Sequence, residues 1–224
     1  MRHGVQIAPR PSGVADEWKR LFVPPVRRAR DVGVGAFPLT VITLVAVAAL
    51  AGLNDAAAGH HFVRAWLDEY ANLPARATAV RLLPSLVAPA YRLPVWGALL
   101  QIAIVLGTAE AVYGTRVIAV VAIGAHVVAT LSARVFIWLG PHDLMGLAAK
   151  VAHSPDAGPS AATVGVAAFV VIAMRGRQTL VALVVFCVGE WFVHPGLAQR
   201  EHLVAALVGV ALAFAVRDRL PIRR

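Results

Sequence analysis

Six stretches of this chain are too apolar to belong to a soluble fold: residues 36–53, 93–113, 117–139, 161–174, 180–193 and 203–216. A bilayer core about 30 Å thick takes roughly 20 apolar residues of helix, and the shorter runs reach that length by borrowing mildly polar residues at their ends. Hydrophobic residues make up 59% of the 224, charged residues only 15%, and mean hydropathy is +0.72. That balance excludes an ordinary soluble domain. The expectation is an all-α, polytopic membrane protein of six transmembrane helices.

The net charge of +9 raises the question of nucleic acid. With the N-terminus inside, 14 of the 21 Lys and Arg residues fall on the cytoplasmic side and seven on the other, four of those seven in one long loop. This asymmetry is the positive-inside pattern, and it puts both termini in the cytoplasm. The basic tails then read as topology signals and contacts for anionic lipid. No aromatic residues interleave with the basic ones, so nucleic acid is not expected as a partner. Cys187 stands alone inside an apolar run and reads as a small core residue. Arg27 and Arg28 precede an apolar run, but a leader of that length without the twin-arginine continuation reads as uncleaved.

Three units follow. Residues 1–35 mix Pro, Gly and charge with no visible apolar period and read as a partly ordered cytoplasmic tail; 36–217 form the six-helix membrane domain; 218–224 are a short basic tail. The long external stretch 54–92 contains HFVRAWLDEY, with Phe62, Trp66 and Tyr70 spaced by four. This predicts an amphipathic helix at the outer surface, with Arg64, Asp68 and Glu69 mostly off the apolar face. Pro84, Pro89 and Pro94 break the stretch that follows, and residues 140–159 form a second external loop rich in Pro, Gly and Asp.

Ser160 and His202 carry the candidate chemistry. Each lies 15 residues before an arginine, Arg175 and Arg217 respectively. At 1.5 Å per residue both would ride about 22 Å above that basic collar, at one depth inside the membrane. Polar side chains there are costly and are candidates for function. Ser160 would open a helix beside unpaired N–H donors suited to an oxyanion, with Gly158 leaving the preceding backbone free to turn. His202, Ala205 and Gly209 share one helix face, and the pair Ala205 and Gly209 would let a neighbouring helix come close. Taken singly, Ser160 reads as a helix N-cap and His202 as an interfacial histidine.

The segment Gly158-Pro159-Ser160-Ala161 resembles the GxSx nucleophile segment of the rhomboid intramembrane serine proteases. His202, Ala205 and Gly209 resemble that family's HxxGxxxG helix, and Glu110 to Gly114 resembles its E-x-x-x-G motif. The resemblance covers about residues 36–217 and implies a six-helix rhomboid-like bundle. In it Ser160 would be the nucleophile, His202 its base, Gly158 and Ala161 the turn and oxyanion support, and Ala205 and Gly209 the packing face. It implies cleavage of a transmembrane protein substrate without a cofactor. The family's H-x-x-x-N pattern in the second span has no counterpart in YRLPVWGAL, residues 91–99, and Ala161 and Ala205 stand where glycines are usual. An inactive rhomboid-like protein that binds client helices is the alternative.

Other polar residues within the spans have simpler readings. Glu190 is expected to pair with Arg134 or to snorkel beside Trp191, with orientation of His202 as the lesser alternative. His126 reads as a hydrogen-bonded interior histidine, and Glu110 as a structural cap. The remaining histidines lack zinc-ligand spacing, so no metal is expected. The bias toward Ala, Val, Arg and Gly suggests a bacterial plasma membrane.

Overall fold

The computed structural model describes residues 13–89, 94–193 and 196–216. Tyr91, Arg92, His194, Arg217 and the tail 218–224 lie outside the described residues. Helices α1 (Val14–Val32), α2 (Pro38–Asn54), α3 (Ala57–Trp66) and α4 (Ala75–Arg81) precede five longer-range elements. These are α5 (Val95–Tyr113), α6 (Thr115–Leu139), α7 (Ser160–Ala173), α8 (Arg177–Val193) and α9 (Leu197–Val216). Short 3₁₀ turns occupy Val34–Ala36, Pro84–Val87 and Ala149–His153. The described residues hold no strand beyond an isolated antiparallel bridge between Glu69 and Asp156.

The protein is all-helical, and α5, α6 and α9 are long and apolar enough to cross a bilayer. Helices α2 and α7 are apolar but shorter. The 14 residues of α7 reach only about 21 Å. Their burial explains the length: ten of the 14 are buried among α5, α6, α8 and α9, so α7 has little surface to match against lipid. Phe169 of α7 lies at the centre of the core with Ile102, Ile118, Val112 and Val166, and its ring meets Tyr113 edge-on at 5.4 Å. Glu110 accepts hydrogen bonds from the Leu39 and Thr40 amides (2.9 Å each) and from the Thr40 and Thr115 hydroxyls (2.8 and 2.6 Å). It thereby caps the starts of both α2 and α6, the structural role its position suggests.

Two expectations need correcting. Most of the supposed N-terminal tail is a helix, α1, continuing through Pro24 and Pro25. The helix carrying Trp66 ends there instead of running to Tyr70. Past its end the chain turns inward, and Asp68 and Glu69 are fully buried instead of lying on a solvated face.

Candidate functional site

Glycine and alanine set the geometry of the site by letting α7 and α9 touch backbone to backbone. A Cβ added at Gly209 would run into the Gly165 carbonyl oxygen and come within 3.1 Å of the Phe169 nitrogen. One added at Gly165 would collide with the Ala125 methyl and stand 3.0 Å from the Ala205 carbonyl oxygen. The contacts advance together along both helices, Gly165 with Ala205 and Gly209, then Phe169 with Gly209, so the two helices run parallel. His202 lies about one turn before Ala205. It therefore stands level with the first turn of α7, where Ser160 opens the helix.

That first turn is held from below and behind. Gly158, at φ 117°, takes a backbone conformation that a side chain would strain, and its amide donates to the Ser85 carbonyl at 2.9 Å. The first helical hydrogen bond runs from the Thr163 amide to the Pro159 carbonyl at 2.9 Å. The amides of Ser160, Ala161 and Ala162 therefore have no partner within the helix. Such donors, at the positive end of the helix dipole, suit a developing oxyanion. Ser160 itself is half-buried, and its carbonyl accepts from the Thr163 hydroxyl at 2.8 Å.

His202 is buried, and its Nδ1–H donates to Glu190 Oε2 at 2.7 Å. A carboxylate can only accept, so this contact places a proton on Nδ1; in the neutral imidazole Nε2 then carries the lone pair. Nε2 is buried and has no hydrogen-bond partner among the described residues, so the Ser160 hydroxyl is not bonded to it in this conformation. The expected ion pair between Glu190 and Arg134 is not made. Arg134 Nη2 instead donates to Glu69 Oε1 at 3.0 Å and to Thr78 Oγ1 at 2.5 Å. The lesser alternative, orientation of His202 by Glu190, is the arrangement found.

A polar network beside the site was not foreseen. Glu69 and Asp156 exchange backbone hydrogen bonds (3.2 and 2.8 Å), which fastens the loop after α3 to the loop before α7. The Asp156 side chain bonds to Glu201, next to His202 on α9, and a hydrogen bond between two carboxyl groups requires a shared proton. Burial holds the Asp156 carboxyl above the usual carboxylate range; the Glu201 bond opposes that shift and the Glu69 charge adds to it. Arg200 closes the same end. It donates to the Met145, Gly196 and Gly146 carbonyls (2.8, 3.0 and 3.0 Å) and stacks over the Trp191 ring at 4.6 Å. The nearest signal in the sequence is the pair Glu201-His202 at the start of the apolar run 203–216.

His126 is the interior histidine its position suggests. Its Nε2–H donates to the Leu82 carbonyl at 2.8 Å, and Ser85 Oγ lies 3.0 Å away. Among the described residues no three His, Cys, Asp or Glu side chains gather to hold a metal ion. Comparison of the chain with family models, with curated proteins and with solved structures gives no match in any of the three.

Proposed function

We propose that this chain is a six-helix, rhomboid-like intramembrane serine protease acting on transmembrane protein substrates. In this reading α2 and α5 to α9 all cross the membrane, with both termini in the cytoplasm of a bacterial cell. One observation carries it: His202 is held through Nδ1 by Glu190 while Nε2 stays open, on the helix face packed against α7 and level with Ser160. A histidine fixed in that tautomer is equipped to act as a general base.

The chemistry follows from the atoms. Ser160 Oγ attacks the scissile carbonyl carbon as its proton passes to His202 Nε2, and the amides at the start of α7 stabilise the oxyanion. The protonated His202 then gives that proton to the departing amine, leaving an acyl ester on Ser160. Water, deprotonated by His202, hydrolyses the ester and restores the serine. The open distance between the two side chains is compatible with this sequence, because catalytic hydrogen bonds often tighten only when substrate binds.

A second reading rests on a specific departure. Residues 94–99 at the start of α5 offer neither His nor Asn as a further oxyanion donor. One lost donor costs on the order of 10²- to 10³-fold in rate. On this reading the protein is a pseudoprotease that binds client helices. Fluorophosphonate labelling in membranes separates the two: the protease labels, Ser160→Ala abolishes labelling, and His202→Ala leaves only a slow residual rate. Wild-type labelling no higher than that of Ser160→Ala rejects the protease.

A further inference from the structure

Helix α1 has three distinct faces. One is docked on the bundle: Glu17 accepts from the Gln178 and Thr179 amides (3.1 and 3.0 Å) and from the Thr179 hydroxyl (3.0 Å), Leu21 packs on the core, and Arg28 Nη1 donates to the Ala111 carbonyl at 3.3 Å. These contacts fix the rotation of α1 and place it at the bundle end where α5 finishes and α8 begins. A second face carries Val14, Trp18, Phe22 and Val26 at every fourth position, each between 37% and 57% exposed. The third carries the exposed Lys19, Arg27 and Arg30.

An apolar stripe of this size in water is unfavourable unless something covers it. Charge argues for the occupant. Exposed Arg116 and Arg177 lie at the same end of the bundle, at the starts of α6 and α8, and extend the basic rim of α1. A second copy of the same stripe would bring like charges together. Further along the chain the exposed apolar residues go on at Val32 and Val34 and then at Ile42 and Val45 of the apolar helix α2.

We propose that α1 is an interfacial anchor for anionic phospholipid, with Val14, Trp18, Phe22 and Val26 inserted below the headgroups and Lys19, Arg27 and Arg30 at the level of the phosphates. The inference goes beyond the catalytic reading and does not depend on it. Basic amphipathic helices lie at the bilayer surface in this way, with long cationic side chains reaching up to the headgroup layer.

The test uses the full chain with Cys187→Ala and Phe22→Cys, spin-labelled at position 22 and reconstituted into vesicles of phosphatidylcholine with or without phosphatidylglycerol. Collisions with oxygen report lipid contact, and collisions with a nickel chelate report water. In phosphatidylglycerol vesicles the label is expected to meet oxygen and be shielded from nickel. Replacing Lys19, Arg27 and Arg30 by Gln should lower the ratio of lipid-facing to water-facing helix by about fivefold per charge, and high salt should act in the same direction. A label open to nickel in phosphatidylglycerol overturns the proposal. So does lipid contact that is unchanged in pure phosphatidylcholine and in the triple variant, and so does shielding from both reagents with spin–spin broadening, which marks a second copy. Repeating the measurement with Ser160→Ala keeps the outcome separate from any result on proteolysis.

Discussion

Removal of the Glu190 carboxylate is the most direct probe of the candidate site. Its Oε2 lies 2.7 Å from His202 Nδ1, and the Glu190 side chain is 27% exposed, shielded enough to keep most of a charge-assisted hydrogen bond. Such bonds contribute about 1.5–3 kcal/mol net, so Glu190→Leu should slow fluorophosphonate labelling by about 10- to 150-fold if the transition state feels the whole bond. Glu190→Gln keeps the volume and an acceptor oxygen while losing the charge, and its loss should fall toward the lower end of that range. A merely structural role would also slow labelling, so the decisive measurement is a double-mutant cycle. In the His202→Ala background Glu190→Gln should have no further effect on residual labelling, because the group through which it acts is gone. Wild-type labelling rates in Glu190→Leu, or equal losses with and without His202, would refute the argument that Glu190 positions the base.

The α7/α9 contact can be tested with two glycines. Gly209→Val places a side chain against the Gly165 carbonyl and the Phe169 amide, rigid backbone on a facing helix, and should destabilise by about 1–3 kcal/mol in detergent unfolding. Gly189→Ala on α8 meets nothing within 4 Å and should be neutral or gain up to about 1 kcal/mol from helix propensity; equal effects at the two sites would reject the close contact. Asp156, held above the usual carboxylate range by burial, binds its proton more tightly in the folded chain than in the unfolded one. Its contribution to stability is thus full below the ordinary range and is lost as pH rises through the elevated value. Melting temperatures of the wild type should fall across that window, and Asp156→Asn should flatten the slope; an unchanged slope would count against the assignment.

Much of this architecture was legible because hydropathy is additive along a chain. The apolar runs coincide with α2 and α5 to α9, and the level shared by Ser160 and His202 follows from small residues at matching steps of two helices. Partner choice among charges was not legible. Arg134 selects Glu69, 65 positions away in sequence, over Glu190, and only the folding-in of the loop after α3 makes that contact available. Asp68 and Glu69 were misplaced because a four-residue spacing was extended past Trp66, where the chain leaves the helix to bridge to Asp156. In α1 the stripe Val14, Trp18, Phe22, Val26 has regular helical spacing, but Pro24, Pro25 and the dense charge obscured it.

Helix α8 links these observations. Cys187 is its sole buried residue among those described, so of α5 to α9 it has the least packing to resist local opening. Yet it supplies Glu190 at one end and receives the Glu17 cap at the other. Desolvation by burial raises the Glu17 pKa, but the hydrogen bonds from Thr179 and Gln178 outweigh it and hold the carboxylate below its ordinary range. The stability this cap lends is therefore present above the ordinary carboxylate range and is lost as pH falls through it and the lowered value. Hydrogen exchange reads this directly. Glu17→Gln should speed exchange at the Gln178 and Thr179 amides while leaving the α7/α9 contact protected. If those amides exchange at the wild-type rate in the variant, the tie between α1 and α8 is not made by Glu17, and the position of Glu190 must be held from the His202 end alone.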